Sequence, residues 1–257
     1  MLRKYSSSRS LKDNIKLGVL TAYCAGMVNV ISVIIFFAFT SNVTGHYAVL
    51  AEELSKGNWY QAGVVAVWIM LFCFGGFISN LIIINLGRRN SYLTHGIPIL
   101  LEMVCLIITG SYIQFYYHET LVETEFLVGL MLFAMGLQNG LTASISNSAV
   151  KTTHLTGLTT DLGMLLSMFT QRRFRKKKQL VEKAKIQVSI MLAYVTGGVA
   201  AGLIYNTVAY NVFYITCGFL LLVLLYDYYR ITVVKFVFRR RQSPRYSYVY
   251  SEKNDNT

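Results

Sequence analysis

The sequence predicts an all-α, polytopic membrane helical bundle: six transmembrane helices forming two inverted three-helix repeats. Three observations carry this expectation. Of the 257 residues, 54% are hydrophobic, only 14% are charged and two are proline, with a mean hydropathy of +0.46. A soluble domain carries roughly 25% charged residues, and a disordered chain needs low hydrophobicity with high charge. Both classes are therefore excluded. Six apolar runs reach the length of about 20 residues that a spanning helix needs. The two halves of the chain also repeat one another's polar motifs.

The runs are 16–39, 60–86, 94–116, 126–148, 187–207 and 211–229. They divide the chain into an N-terminal segment (1–15), a transmembrane domain (16–230) and a basic tail (231–257). The tail's polarity predicts disorder. The first run is too long for a cleavable signal, and no small-x-small site follows it. The net charge of +12 is concentrated beside the apolar runs. If every run crosses once, all but Lys56 of the 24 lysines and arginines fall on one side. The positive-inside rule then places both termini in the cytoplasm. The opposite loops carry Glu52, Glu53, Glu119, Glu123 and Glu125.

The run from Arg172 to Lys178 suits anionic headgroups at the cytoplasmic face, at about 1 kcal/mol per charge near the surface. Nucleic acid is not expected, because these segments are too short for a folded basic face with aromatic platforms. Tyrosines at the run ends fit an aromatic belt. The four cysteines all lie in apolar runs without a CxxC, so they read as buried small hydrophobes.

The repeat is read residue by residue. Gly26-Met27-Val28-Asn29 is followed by Ser41-Asn42-Val43-Thr44-Gly45, and Gly136-Leu137-Gln138-Asn139 by Thr153-His154-Leu155-Thr156-Gly157. Gly75-Gly76 in the second run is matched by Gly197-Gly198 in the fifth. Repeat one covers 16–116 and repeat two covers 126–229. Each half has an odd number of spans, so the halves enter the membrane from opposite sides, as in many secondary transporters. Each Thr-Gly opens a short amphipathic stretch, Thr44 to Leu54 and Thr156 to Phe169. Two readings stand for these stretches: capped helices on the membrane surface, or re-entrant segments offering N-terminal N–H groups to a site.

The paired Asn-then-Thr-Gly blocks resemble the YoaK-like family of six-helix bacterial membrane proteins. So do Thr159-Thr160-Asp161-Leu162-Gly163 and the glutamate of the third run. The resemblance covers about residues 12–230. Val30 stands where that family usually has an acid or other polar residue, and His46 where it often has an asparagine. The resemblance implies a multi-pass protein of the bacterial plasma membrane and implies no substrate.

Glu102 stands out among candidate site residues. It lies ~13 Å into the third run at ~1.5 Å per residue, where an acid costs roughly 2.5–3.5 kcal/mol. It reads as a proton-coupling or substrate-binding acid, or as a neutral carboxyl bonded to a neighbouring helix. Asn29, Gln138 and Asn139 suit a neutral or zwitterionic solute, or act as interhelical glue, and Asn80 faces the same choice. Asp161 is either a second titrating site or a solvated acid. His46 and His154 flank the Thr-Gly turns (Thr44-Gly45 and Thr156-Gly157) and are candidate pH sensors. Gly75, Gly76, Gly197, Gly198 and Gly202 read as close-packing positions.

Enzyme motifs, metal-ligand spacings and nucleotide loops are missing, so no catalytic activity and no cofactor are expected. The expected function is a secondary transporter for a small-molecule solute, proton-coupled through Glu102. The alternatives are a passive channel or facilitator, a non-transporting scaffold or regulator, and a membrane enzyme with an unfamiliar site. A homo-oligomer is compatible with all of them. The topology is checked by thiol labelling: Leu121→Cys and Ala209→Cys should react from outside, and Asn90→Cys and Lys178→Cys only from inside. Reversed labelling would overturn the charge argument.

Overall fold

The computed structural model describes residues 11–86, 91–146 and 148–225. All regular structure in them is helical: α1 (Leu11–Phe36), α2 (Val43–Ser55), α3 (Trp59–Leu86), α4 (Ser91–Tyr116), α5 (Leu121–Ser146), α6 (Leu155–Phe169), the single turn α7 (Arg172–Arg175) and α8 (Lys178–Val208). A 3-10 turn, Ala209–Asn211, leads into α9 (212–225). The expected disorder of the 231–257 tail lies outside the described residues.

Five stretches among the described residues are long and apolar enough to cross a membrane: Ile15–Phe36, Trp59–Leu86, Thr94–Tyr116, Leu121–Ser146 and Lys178–Leu225. The last is 48 residues long and contains both α8 and α9. The two runs expected at 187–207 and 211–229 are therefore one apolar stretch, broken where Ala209 adopts φ +47. α1 ends at Phe36 rather than 39 because Phe37 turns to φ +55, the left-handed conformation that commonly closes a helix. α5 and α8 begin earlier than their apolar runs, since lysine, glutamate and glutamine extend a helix well outside the apolar part.

Two helix pairs dominate the packing, α1 with α8 and α3 with α5. Both rest on glycine. A Cβ at Gly26 would collide with the backbone carbonyl of Tyr194, and one at Gly197 with that of Tyr23. A Cβ at Gly136 would likewise strike the Phe72 carbonyl, and one at Gly75 that of Phe133. Small residues let backbones approach closely where lipid removes the hydrophobic drive for helix association. α1 thus packs on α8, from the far end of the chain, and α5 packs on α3. α1 and α5 are the most enclosed helices, with 61% and 67% of their apolar windows buried, whereas α3 is 17% buried. The outer face of α3 is an exposed apolar surface, as are Val104 and Ile108 of α4 and Leu192, Val195, Val199 and Leu203 of α8.

One end of the bundle is acidic. There Tyr60 and Gln61 donate to the Glu125 carboxylate (2.7 and 3.0 Å), and Tyr112 donates to Glu123 (2.9 Å). α2 runs towards this end and passes directly into α3. α6 runs the other way, towards the basic end where α7 and the start of α8 lie.

The glycine contacts give a direct test. Gly136→Ala and Gly197→Ala should each destabilise the purified protein by about 1–3 kcal/mol through overpacking. Gly218→Ala, where a Cβ meets nothing within 4 Å, should leave the melting temperature unchanged or raised.

Candidate functional site

The chain between α1 and α2 turns back along α1. Asn29 lies seven residues before the end of α1, hence ~10 Å from that end at ~1.5 Å per residue. Its Oδ1 accepts from the backbone N–H groups of Thr40 (3.0 Å) and Ser41 (3.2 Å) and from the Ser41 hydroxyl (3.0 Å). Asn29, Thr40 and Ser41 are all buried. α2 therefore starts inside the bundle, level with Asn29. Asn42 caps it, accepting from the Gly45 N–H at 3.2 Å.

The second turn is also tied to an asparagine, but through side chains rather than backbone. α5 ends seven residues after Asn139, and Ser148 turns to φ +59 as Phe37 does after α1. Asn139 Oδ1 accepts from Thr152 (3.1 Å), and Asn139 Nδ2 donates to Thr153 Oγ1 (2.8 Å) and to the Met135 carbonyl (3.0 Å). α6 then begins after His154, which makes no side-chain cap hydrogen bond. Gly45 and Gly157 play matching parts: a Cβ at either would press on the side chain of Asn42 or His154.

The two turns face one another across a cavity of about 320 Å³. Ser41, Asn42 and Thr44 form one wall, and Thr153, His154 and Thr156 the other. Asn139, Lys151 and Phe72 also line it. A second chamber of about 530 Å³ lies towards the basic end, and Lys151 and His154 line both spaces. Asp161 lines this chamber; its carboxylate takes Lys183 Nζ at 2.7 Å and Gln187 Nε2 at 3.0 Å. The Lys183 ammonium holds the Asp161 carboxyl below its ordinary range.

Glu102 is fully buried near the middle of α4. Gln138 Nε2 donates to its Oε1 at 3.0 Å. Glu102 Oε2 and Gln138 Oε1 are buried without a partner. Cys24 of α1, Cys105 of α4 and Cys217 of α9 lie within electrostatic reach of the carboxyl. Neither Glu102 nor Gln138 lines the turn cavity.

The candidates from the sequence thus fall into two groups. Asn29 and Asn139 each hold a turn, and Glu102 and Gln138 hold each other. Gln138 and Asn139 are neighbours on α5 but point to different partners. Asn80 accepts from Ser144 and ties α3 to α5. His46 bonds the Phe39 carbonyl (2.8 Å) and stacks edge-on against Trp68, bracing the first turn. Two contributors escaped the sequence reading. Tyr194 reaches the Ser41 hydroxyl at 3.3 Å across the half boundary; nothing in its pattern distinguishes it from a belt tyrosine. Lys151 reads in the sequence only as a topology charge, although it stands just before Thr152-Thr153-His154. No group of side chains that could hold a metal is present among the described residues.

The family described as "Protein of unknown function (DUF1275)" matches residues 17–226. The chain belongs to that family, the one the YoaK-like resemblance indicated. No curated protein and no solved structure matches the chain.

The two asparagines should respond differently to the same change. Asn29→Ala and Asn139→Ala should each cost about 1–3 kcal/mol, since each strands buried partners. Asn29→Asp should be the milder of the two acidic replacements, because Asn29 is used only as an acceptor. Asn139→Asp should approach the alanine loss, because it deletes two donated bonds. Thermal unfolding of the four variants checks this.

Proposed function

We propose that this member of the DUF1275 family is a secondary transporter for a small solute, with six crossings in two inverted three-helix repeats and proton coupling through Glu102. The observation that carries the reading is the pair of Thr-Gly turns, one from each half, meeting across a single cavity. Discontinuous segments from inverted halves form midplane sites of this kind in secondary transporters. Six crossings follow if the 178–225 stretch crosses twice, broken at Ala209. The basic end then faces the cytoplasm with both termini, in a bacterial plasma membrane. The chamber sharing Lys151 and His154 with the turn cavity supports solute access from that side.

Coupling rests on the Glu102–Gln138 pair. One proton on Glu102 Oε2, donated to Gln138 Oε1, gives both orphaned oxygens a partner. Its loss leaves two buried acceptors opposed, which is costly in a low-dielectric interior. Gln138 bonds Glu102, and Cys24, Cys105 and Cys217 feel it electrostatically; none of these four is a cation. Gln138 feels the proton while its neighbour Asn139 holds the second turn, so α5 joins coupling to site. The two halves then rock around the cavity.

Reconstitution tests this. Proteoliposomes with an imposed pH gradient are exposed to pooled metabolites, and their contents are read by mass spectrometry. The wild type should concentrate at least one small solute. Glu102→Gln preserves a paired amide contact, so it should melt like the wild type yet lose gradient-driven accumulation. Flux that only equilibrates, indifferent to the gradient in both proteins, would make the molecule a channel. Absence of any flux would remove transport altogether.

A further inference from the structure

We infer that the turn cavity holds a small carboxylate with a short hydrocarbon body; this names the solute class for the transporter reading and rests on it. The charge of the lining decides the sign. Lys151 is the one charged residue among those lining the cavity, and none of them is an acid. The acid that feels Lys151 electrostatically is Asp161, on the adjoining chamber, and it is already paired with Lys183 at 2.7 Å. Among the described residues no ion pair within 4 Å engages Lys151. A cationic solute would meet this ammonium with no counter-acid on the wall. A zwitterion would leave its own ammonium equally unpaired.

The neutral lining agrees with the same occupant. Thr44 and Thr156, from corresponding places in the two turns, line the cavity together with His154. Both short helices start at this cavity, so their N-terminal partial charges add to the Lys151 field. Val43, Phe72 and Leu155 supply an apolar surface beside the polar groups. The space of about 320 Å³ sits at the small end of ligand pockets. A carboxylate moved with the proton of Glu102 crosses without net charge, which ties the two sites into one electroneutral step.

The test uses the purified full chain and three probes of one shape: butyrate, butyramide and butylammonium, at matched ionic strength. Thermal unfolding is measured with each, for the wild type, Lys151→Gln and Lys185→Gln. Labelled probes are followed into proteoliposomes in parallel. Butyrate alone should raise the melting temperature by several degrees, Lys151→Gln should lose that shift, and Lys185→Gln should keep it. Stabilisation by butyramide or butylammonium instead would overturn the carboxylate assignment. So would a butyrate shift that survives in Lys151→Gln, or the lack of any butyrate shift in a wild type that melts cooperatively. Uptake separates the two claims. Butyrate bound through Lys151 but never taken up would keep the anion site and end the transporter reading. Uptake of the amide or amine without butyrate binding would do the reverse.

Discussion

A chain that reverses inside an apolar bundle must bring partners for the backbone groups it frees, because lipid offers none. That constraint explains most of this molecule. A turn ~10 Å back from a helix end, at ~1.5 Å per residue, strands N–H groups that a surface turn would give to water. Asn29 answers for the first turn with a single oxygen that takes two of these N–H groups and the Ser41 hydroxyl. At the second turn Ser146 Oγ takes the Val150 N–H, and Asn139 holds the Thr152 and Thr153 side chains with both ends of its amide. The turns can be placed deep because an amide already waits there, in the wall of a helix enclosed on most sides.

The glycine contacts follow from the same demand. α1 and α5 must carry the turns at the centre of the bundle, so α8 and α3 have to close over them tightly. Gly26 against Tyr194 and Gly136 against Phe72 bring the backbones together, with partners exchanged between the halves. Tyr194 then reaches from the α8 backbone contact to the Ser41 hydroxyl of the first turn. Packing and site are one construction here: the glycine that admits Tyr194 also sets the distance at which its hydroxyl braces the turn.

Much of this was legible in the sequence. The apolar runs marked the long helices, the two Asn positions marked residues that each hold a turn, and the Gly-Gly pairs marked the close backbone contacts. Other features were not. A Thr-Gly followed by an amphipathic stretch reads alike for a surface helix and for one that starts at depth; the difference lies in Asn29 and Asn139, whose facing depends on chain geometry far from the motif. Glu102 and Gln138 were both placed at mid-depth, but 36 residues separate them, and no periodicity fixes which faces meet. Lys151 disappeared into a count of basic residues because its neighbours in sequence are topology charges, while its neighbours in space are two turns. The end of α1 was misjudged where Phe37 takes a left-handed φ value that glycine would have advertised.

The site exists only if the two turns meet. Short bifunctional cross-linking of Thr44→Cys with Thr156→Cys in native membranes, in a background free of Cys24, Cys73, Cys105 and Cys217, tests it directly. Residues lining one cavity should join efficiently under a reagent spanning less than ~10 Å, against a bilayer core of ~30 Å. Two thiols that each label readily from opposite aqueous sides, yet never join, would place the short helices on opposite membrane surfaces and contradict the arrangement.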